Sequence, residues 1–342
     1  MHPTPLPQHV PITVSYRGGH PENIHHGSVA VVDAQGRLLA SAGDVVTPLF
    51  TRSCLKPFQA MPLLAQWAER YGLEDADVAL LCASHNGESM HVERVATLLS
   101  RFGASETDLA CGIHTPFFFG ANGQVPPAGA RYTALHHNCS GKHSGMLMLA
   151  HALGAPLSGY LGVDHPVQQQ IAQSVSHFSG VPLHQLIRGT DGCSAPNYAV
   201  PLAALAHAFA RLTWTGHDPV YGEAPNRVAR AMSQFPDWVS GQGRNDLTLM
   251  KAGRGDWVSK VGADGVQVLA SFSRGVVVAA KCSDGMLTPL MVAFVAALEQ
   301  LGWLDEEQRA ALSADAAATE KLSGCRGWRM APGRDAAFRE LR

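Results

Sequence analysis

Short apolar runs bounded by turn residues lie near both ends of this chain, and stretches with apolar residues every three or four positions fill its middle. Residues 28–33 and 37–42 flank Ala34-Gln35-Gly36 and read as a β-hairpin. Residues 266–272 and 276–281 flank Ser273-Arg274-Gly275 as a second one, and Asp284-Gly285 then leads into an apolar helix over about 288–301. Residues 146–153, 167–177, 201–212 and 226–235 carry the helical period. The apolar run 78–83 is short, ends at Ser84-His85-Asn86-Gly87, and reads as a strand. Hairpins near both ends with helices between them predict an α/β fold whose one sheet is assembled from the two ends of the chain. With no internal repeat and no long linker, residues 1–342 read as a single domain.

One helix start carries candidate chemistry. Pro57 is tolerated in a helix only near the first turn, so a helix is predicted from about Ser53 through Phe58, Leu63, Leu64 and Trp67 towards Gly72. Residues three apart on a helix are neighbours, which brings Ser53 Oγ and Lys56 Nζ towards one another. A weak hydroxyl, an adjacent amine and a positive helix end make the layout of a Ser-x-x-Lys nucleophile. The pattern is short, however, and taken alone it equally describes an N-capping serine beside a solvated lysine.

Composition narrows the class. Charged residues make up 16% of the 342, below the roughly 25% of ordinary globular chains, which favours some burial in an oligomer interface. A net charge of -2 without a dense basic run argues against a nucleic-acid partner. No apolar run reaches the roughly 18 residues of a membrane helix. The start Met1-His2-Pro3-Thr4-Pro5-Leu6-Pro7 lacks a basic and an apolar signal region, so the seven cysteines are expected as reduced thiols in a cytoplasmic protein.

Four further segments hold reactive groups. Ser84 stands where an apolar run opens into a loop, as a functional hydroxyl or as a turn serine bonding its own backbone. His136-His137-Asn138-Cys139-Ser140-Gly141-Lys142-His143 fails as a phosphate loop, because His136 replaces the first glycine and His143 the Ser or Thr that would bind Mg²⁺. Thiolate and imidazole suit Zn²⁺ better, with a buried cysteine beside surface histidines as the plain alternative. On chemistry alone the third ligand there would be His136, His137 or His143. Asp191-Gly192-Cys193 lies in a turn-rich loop where glycine lets backbone approach a ligand, and Lys260 precedes the last hairpin. Neither segment decides its own role.

Together these segments resemble one family, the rhizobial-type (class 3) L-asparaginases, whose fold is similar to serine β-lactamases and glutaminases. The matching stretches are Tyr16-Arg17-Gly18-Gly19 with Glu22-Asn23, Arg52-Ser53 with Lys56-Pro57, Ala83-Ser84-His85, Asn138 to His143, Asp191-Gly192-Cys193 and Lys260-Val261-Gly262, in the family's order. The resemblance implies two serine–lysine dyads, Ser53 with Lys56 and Ser84 with Lys260. It implies a Zn²⁺ site from Cys139, Lys142 and Cys193, structural or affinity-tuning rather than hydrolytic, and a homodimer. The activity it implies is hydrolysis of L-asparagine through an acyl-serine. By charge, Asp191 is the candidate for holding the substrate ammonium and Arg52 with His143 for its carboxylate. A glutaminase or another serine acylase on the same fold, a zinc-binding protein without catalysis, and zinc-hydroxide hydrolysis are the competing readings. No Lys-Thr-Gly or Ser-Asp-Asn triplet occurs, which counts against a β-lactamase-like enzyme. The tail 324–342 does not match the family, and Cys54 and Leu55 stand where small residues are expected, Cys54 being open to oxidation if exposed.

Overall fold

The two hairpins expected near the chain ends meet edge to edge in one sheet. A computed structural model describes residues 6–214, 216–312, 328–332 and 339–340, and the start at Met1–Pro5 lies outside them. In chain order the strands are β1 (Val10–Arg17), β2 (His20–Asp33), β3 (Leu38–Ala42), β4 (Pro48–Phe50), β5 (Ile187–Thr190), β6 (Pro196–Pro201), β7 (Trp257–Gly262), β8 (Val266–Ser271), β9 (Val276–Cys282), β10 (Trp328–Pro332) and β11 (Arg339–Glu340). The main sheet has eight strands in the order β10-β1-β2-β9-β8-β7, with β3 on β2 and β11 on β3. Its seam is antiparallel β2 on β9, from Gly27 opposite Cys282 to Asp33 opposite Val276. Of residues 324–342, β10 and β11 add to this sheet, and the rest lies outside the described residues. β4, β6 and β5 form a separate small sheet.

Both faces of the main sheet are covered, which explains why its strands read as continuous apolar runs instead of alternating with polar residues. Ala30, Val32, Val268 and Val277 belong to the larger core, and Val29, Val31, Leu269 and Val278 to a second one behind the sheet. The helices on the larger side include α1 (Lys56–Trp67), α2 (Asp75–Leu81), α3 (Ser89–Ser100), α5 (Ser140–Ala152), α6 (Pro166–Ser179), α7 (Leu202–Thr213) and α8 (Ala224–Gln234), and the short α4 (Phe117–Ala121) lies between α3 and α5 in the chain. The short α9 (Pro236–Val239) and α10 (Asn245–Ala252) lead back to β7, and α11 (Leu287–Gln300) packs its Leu290, Phe294 and Leu298 on the other face. Each such fully buried apolar side chain contributes about 1.5–3 kcal/mol.

One expected element changes type. Residues 78–83 are not a strand: Asp75–Leu81 is α2, opened by a reciprocal cap in which Glu74 N–H donates to Asp77 Oδ2 at 3.0 Å. A short run that is buried all round has no periodicity to separate helix from strand, and here the acidic cap upstream decides. The Asp77 carboxylate is fully buried yet paired with Arg94 and Arg101. The helix expected from Ser53 also begins slightly later, a single 3-10 turn over Arg52–Leu55 preceding α1.

Candidate active site

Several segments distant in sequence converge on one cavity of about 430 Å³. The turn before α1 supplies Arg52 and Ser53, the loop after α2 supplies Ser84, and the start of α5 with the loop 191–193 supplies Cys139, Asp191 and Cys193. Val261 and Gly262 of β7 close one wall. Two glycines allow this approach. A Cβ on Gly262 would stand 2.6 Å from the Thr51 carbonyl oxygen, and one on Gly141 would stand 2.3 Å from that of Leu80. β7 therefore presses directly on the serine turn, and α5 on the end of α2.

The hydrogen bonding regroups the expected dyads. Lys56 Nζ donates to Ser84 Oγ at 2.8 Å and to the Ala83 carbonyl at 2.5 Å, so its partner is Ser84 and not Ser53. Lys260 does not meet Ser84. It is fully buried and donates to Asp246 Oδ2 at 3.0 Å and to the Val261 carbonyl. Asp246 also accepts from Ser259 Oγ, Val261 N–H and Gln267; against the desolvation of burial, the Lys260 charge first and then the Val261 and Gln267 hydrogen bonds hold its carboxyl below the usual range. Ser53 lines the cavity, partly exposed. Burial pushes Lys56 down to about 8, opposed by the Cys139 thiol and assisted by the Lys142 and Lys260 ammoniums. A lysine with that value is half neutral just above physiological pH, as a general base requires.

Arg52 adopts a left-handed backbone (φ 51°) that non-glycine residues rarely take. Asn197 holds it there: Arg52 N–H donates to Asn197 Oδ1 at 3.2 Å and Asn197 Nδ2 donates to the Arg52 carbonyl at 3.1 Å. The guanidinium is taken up by Asp191 Oδ1 at 2.8 Å and by Asp264. Lys142 and Arg52 overcome desolvation to keep the Asp191 carboxyl ionised, below its usual range. His143 corrects the expectation that it binds substrate. One residue on from Lys142 it points to another side of α5, is fully buried, and shares a 2.6 Å hydrogen bond between its Nδ1 and Tyr160 Oη. It does not line the cavity.

The expected metal ligands do come together. Cys139 and Cys193 are buried at the cavity wall, and Lys142 Nζ donates to Cys193 Sγ at 2.9 Å. Its hydrogen bond with Cys193, then the Lys56 and Lys142 ammoniums, hold the Cys139 thiol well below the usual thiol range against desolvation. Against the same cost of burial, Cys193 and Cys139 raise the Lys142 ammonium. Behind them His143 is buried beside Cys193. Two thiols and an amine form a donor set suited to a borderline-soft divalent cation such as Zn²⁺. Cys54, by contrast, is fully buried, donates to the Lys260 carbonyl, and is closed to oxidants.

Two residues of the site escaped the sequence reading, Asp246 and Arg244. Neither sits in a recognisable motif, and Asp246 lies fourteen residues before Lys260, too far for any local spacing to pair them. A larger cavity of about 780 Å³ adjoins the site through Phe117, Arg244, Val261 and Leu287, but it is lined by no serine, cysteine or lysine.

The fold and the cavity thus describe an α/β protein with hydroxyl, amine and thiol groups gathered in one pocket. Residues 13–330 match the family model of L-asparaginase II, and the chain belongs to that family of amidohydrolases. Among solved structures it is similar to Mglu in its native form, at 14% identity over 82% of this chain and 65% of that one, with a TM-score of 0.45. It is also similar to a β-lactamase from Mycobacterium bovis, at 15% identity over 80% of this chain and 94% of that one, with a TM-score of 0.40. The chain thus spans less than two thirds of Mglu's length. No curated protein matches the sequence. No helix among the described residues is long and apolar enough to cross a membrane.

Proposed function

We propose that this chain hydrolyses the side-chain amide of L-asparagine to L-aspartate and ammonia through an acyl-serine. The observation that carries the reading is the 2.8 Å bond from a buried Lys56, poised near 8, to Ser84 in the cavity that Ser53 also lines. Ser53 is the more exposed hydroxyl, whereas Ser84 is almost fully buried and already bonded to its base. Ser53 Oγ attacks the amide carbon, its proton passes to Ser84 Oγ, and Ser84 hands its own proton to Lys56 Nζ. Lys56 then returns the proton through Ser84 Oγ to the leaving nitrogen, which departs as ammonia. Water then attacks the ester by the same path and releases aspartate. Lys260 takes no proton in this scheme. Its buried charge helps to lower Lys56. Asp191, ionised at the cavity wall, is the partner for the substrate ammonium.

The 2.8 Å bond itself favours a second reading, in which Ser84 is the nucleophile and Lys56 its direct base. Ammonia release from L-asparagine, with L-glutamine alongside, tests the activity. Denaturing mass spectrometry of the acid-quenched reaction assigns the serine: an aspartyl adduct retained by Ser84→Ala and lost in Ser53→Ala supports the first reading, and the reverse pattern the second. Protein that is folded yet silent on both amides would leave a zinc-binding role for Cys139 and Cys193.

Cys139, Lys142 and Cys193 would hold Zn²⁺. The ion would supply a fixed positive charge at the pocket wall. Removing it by chelation is expected to raise KM while turnover persists. Loss of all turnover in the chelated protein, with Ser53→Ala and Ser84→Ala both active, would instead indicate zinc-hydroxide hydrolysis.

A further inference from the structure

We propose that Arg244 is the carboxylate-binding subsite of this cavity, so that the site selects small amides bearing an anionic end. The proposal rests on the amide-hydrolysing reading above and assigns the residue that recognises its substrate class. Two arginines line the pocket, and they differ in how they are paired. The Arg52 guanidinium is neutralised by Asp191 and Asp264. Arg244 has no carboxylate partner among the described residues. Its NH1 donates to Asn86 Oδ1 at 3.2 Å, and its guanidinium lies 5.2 Å from the centre of the Phe117 ring.

A guanidinium stays charged in a protein, so a half-buried one without a counter-ion carries a standing desolvation cost. Burial lowers its pKa from the ordinary value, and the one carboxylate acting on it among the described residues, Asp246, is already committed to Lys260. An anion entering the pocket relieves that cost, and a carboxylate matches the planar fork of the guanidinium with two parallel hydrogen bonds.

The support behind Arg244 is built into the serine loop. Asn86 is fully buried, and its Nδ2 donates to Glu88 Oε1 at 3.1 Å and to the Gln242 carbonyl at 2.8 Å. Those two acceptors settle which way the amide faces and leave its oxygen for Arg244. Ser84 N–H and Asn86 N–H donate to the Val239 and Ser240 carbonyls. That alternation is the mark of an extended segment, in which residues two apart share a side. One short piece of chain therefore sets both the hydroxyl bonded to the base and the amide that positions the guanidinium. A substrate must span the two, and an amide a few bonds from a carboxylate does so.

The test compares L-asparagine with 3-aminopropanamide, which lacks only the carboxylate, on the full-length protein and on Arg244→Gln and Arg244→Lys. An ionic hydrogen-bonded contact of this kind corresponds to about 10–100-fold in affinity. Arg244→Gln is expected to lose about that factor in kcat/KM on L-asparagine, mostly through KM, and far less on 3-aminopropanamide. Arg244→Lys, which keeps the charge, should recover part of the loss and guards against a variant that merely fails to fold. Equal losses on the two amides, or none on L-asparagine, would overturn the proposal. Should the wild type hydrolyse neither amide, the functional reading has failed and calorimetry with L-aspartate still decides the subsite. Heat seen with wild type and lost in Arg244→Gln upholds it, and absent or unchanged heat overturns it.

Discussion

The charge states of single side chains set what this pocket can do. Lys56 works as a base only when neutral, so in metal-free protein kcat/KM should climb about tenfold per pH unit below about 8 and level off above it. A profile flat from pH 6 to pH 9 would remove Lys56 from that role. Asp246 makes the complementary prediction for stability. Asp246→Asn leaves Lys260 buried without its counter-ion, and urea unfolding should show a loss of about 3–5 kcal/mol, well beyond an ordinary surface change. A loss below about 1 kcal/mol would mean that Lys260 is neutral in the fold. The residue types Ser53, Ser84, Lys56 and Lys260 were legible from the chain, because hydroxyls and amines beside turn signals are conspicuous. Their pairing was not. Lys56 lies three positions from Ser53 and twenty-eight from Ser84, yet it bonds the distant one. Spacing along a helix limits which groups can meet, and packing selects among them.

At the scale of elements, the periodic helices and both hairpins were readable because their apolar pattern and turn residues are local. The failure at α2 has an equally local cause, since a run buried on every side carries no period. The contacts between elements produce a sharper prediction. Gly141→Ala drives a methyl group into the Leu80 carbonyl, so the start of α5 must retreat from the end of α2. Overpacking of this kind costs about 1–3 kcal/mol. It should also lower zinc affinity and turnover together, because Cys139 and Lys142 ride on α5 while Ser84 follows α2. Unchanged metal titration and kinetics in a folded variant would show that the two elements tolerate the shift.

At the scale of the molecule, β2 and β9 join segments some 250 residues apart, while Ser53 lies just before α1 and Ser84 just after α2. Low charge over a sizeable chain leads us to expect a homodimer. Sedimentation equilibrium at micromolar concentration should return twice the chain mass, and a single-chain mass would refute it.

The sequence by itself determined the α/β class, the hairpins near both ends, the helix beginning at the serine–lysine turn and the inventory of reactive groups. These follow from hydrophobic period, proline and glycine punctuation and residue chemistry, all of which act over a few positions. The tertiary structure alone decided which serine Lys56 serves, that Asp246 occupies Lys260, that His143 stands behind the cysteines, and that Arg244 faces the pocket unpaired. Those outcomes depend on close approach between segments that are far apart along the chain. Such approach is governed by packing volume and by the cost of leaving a buried charge without a partner, and no local pattern records either.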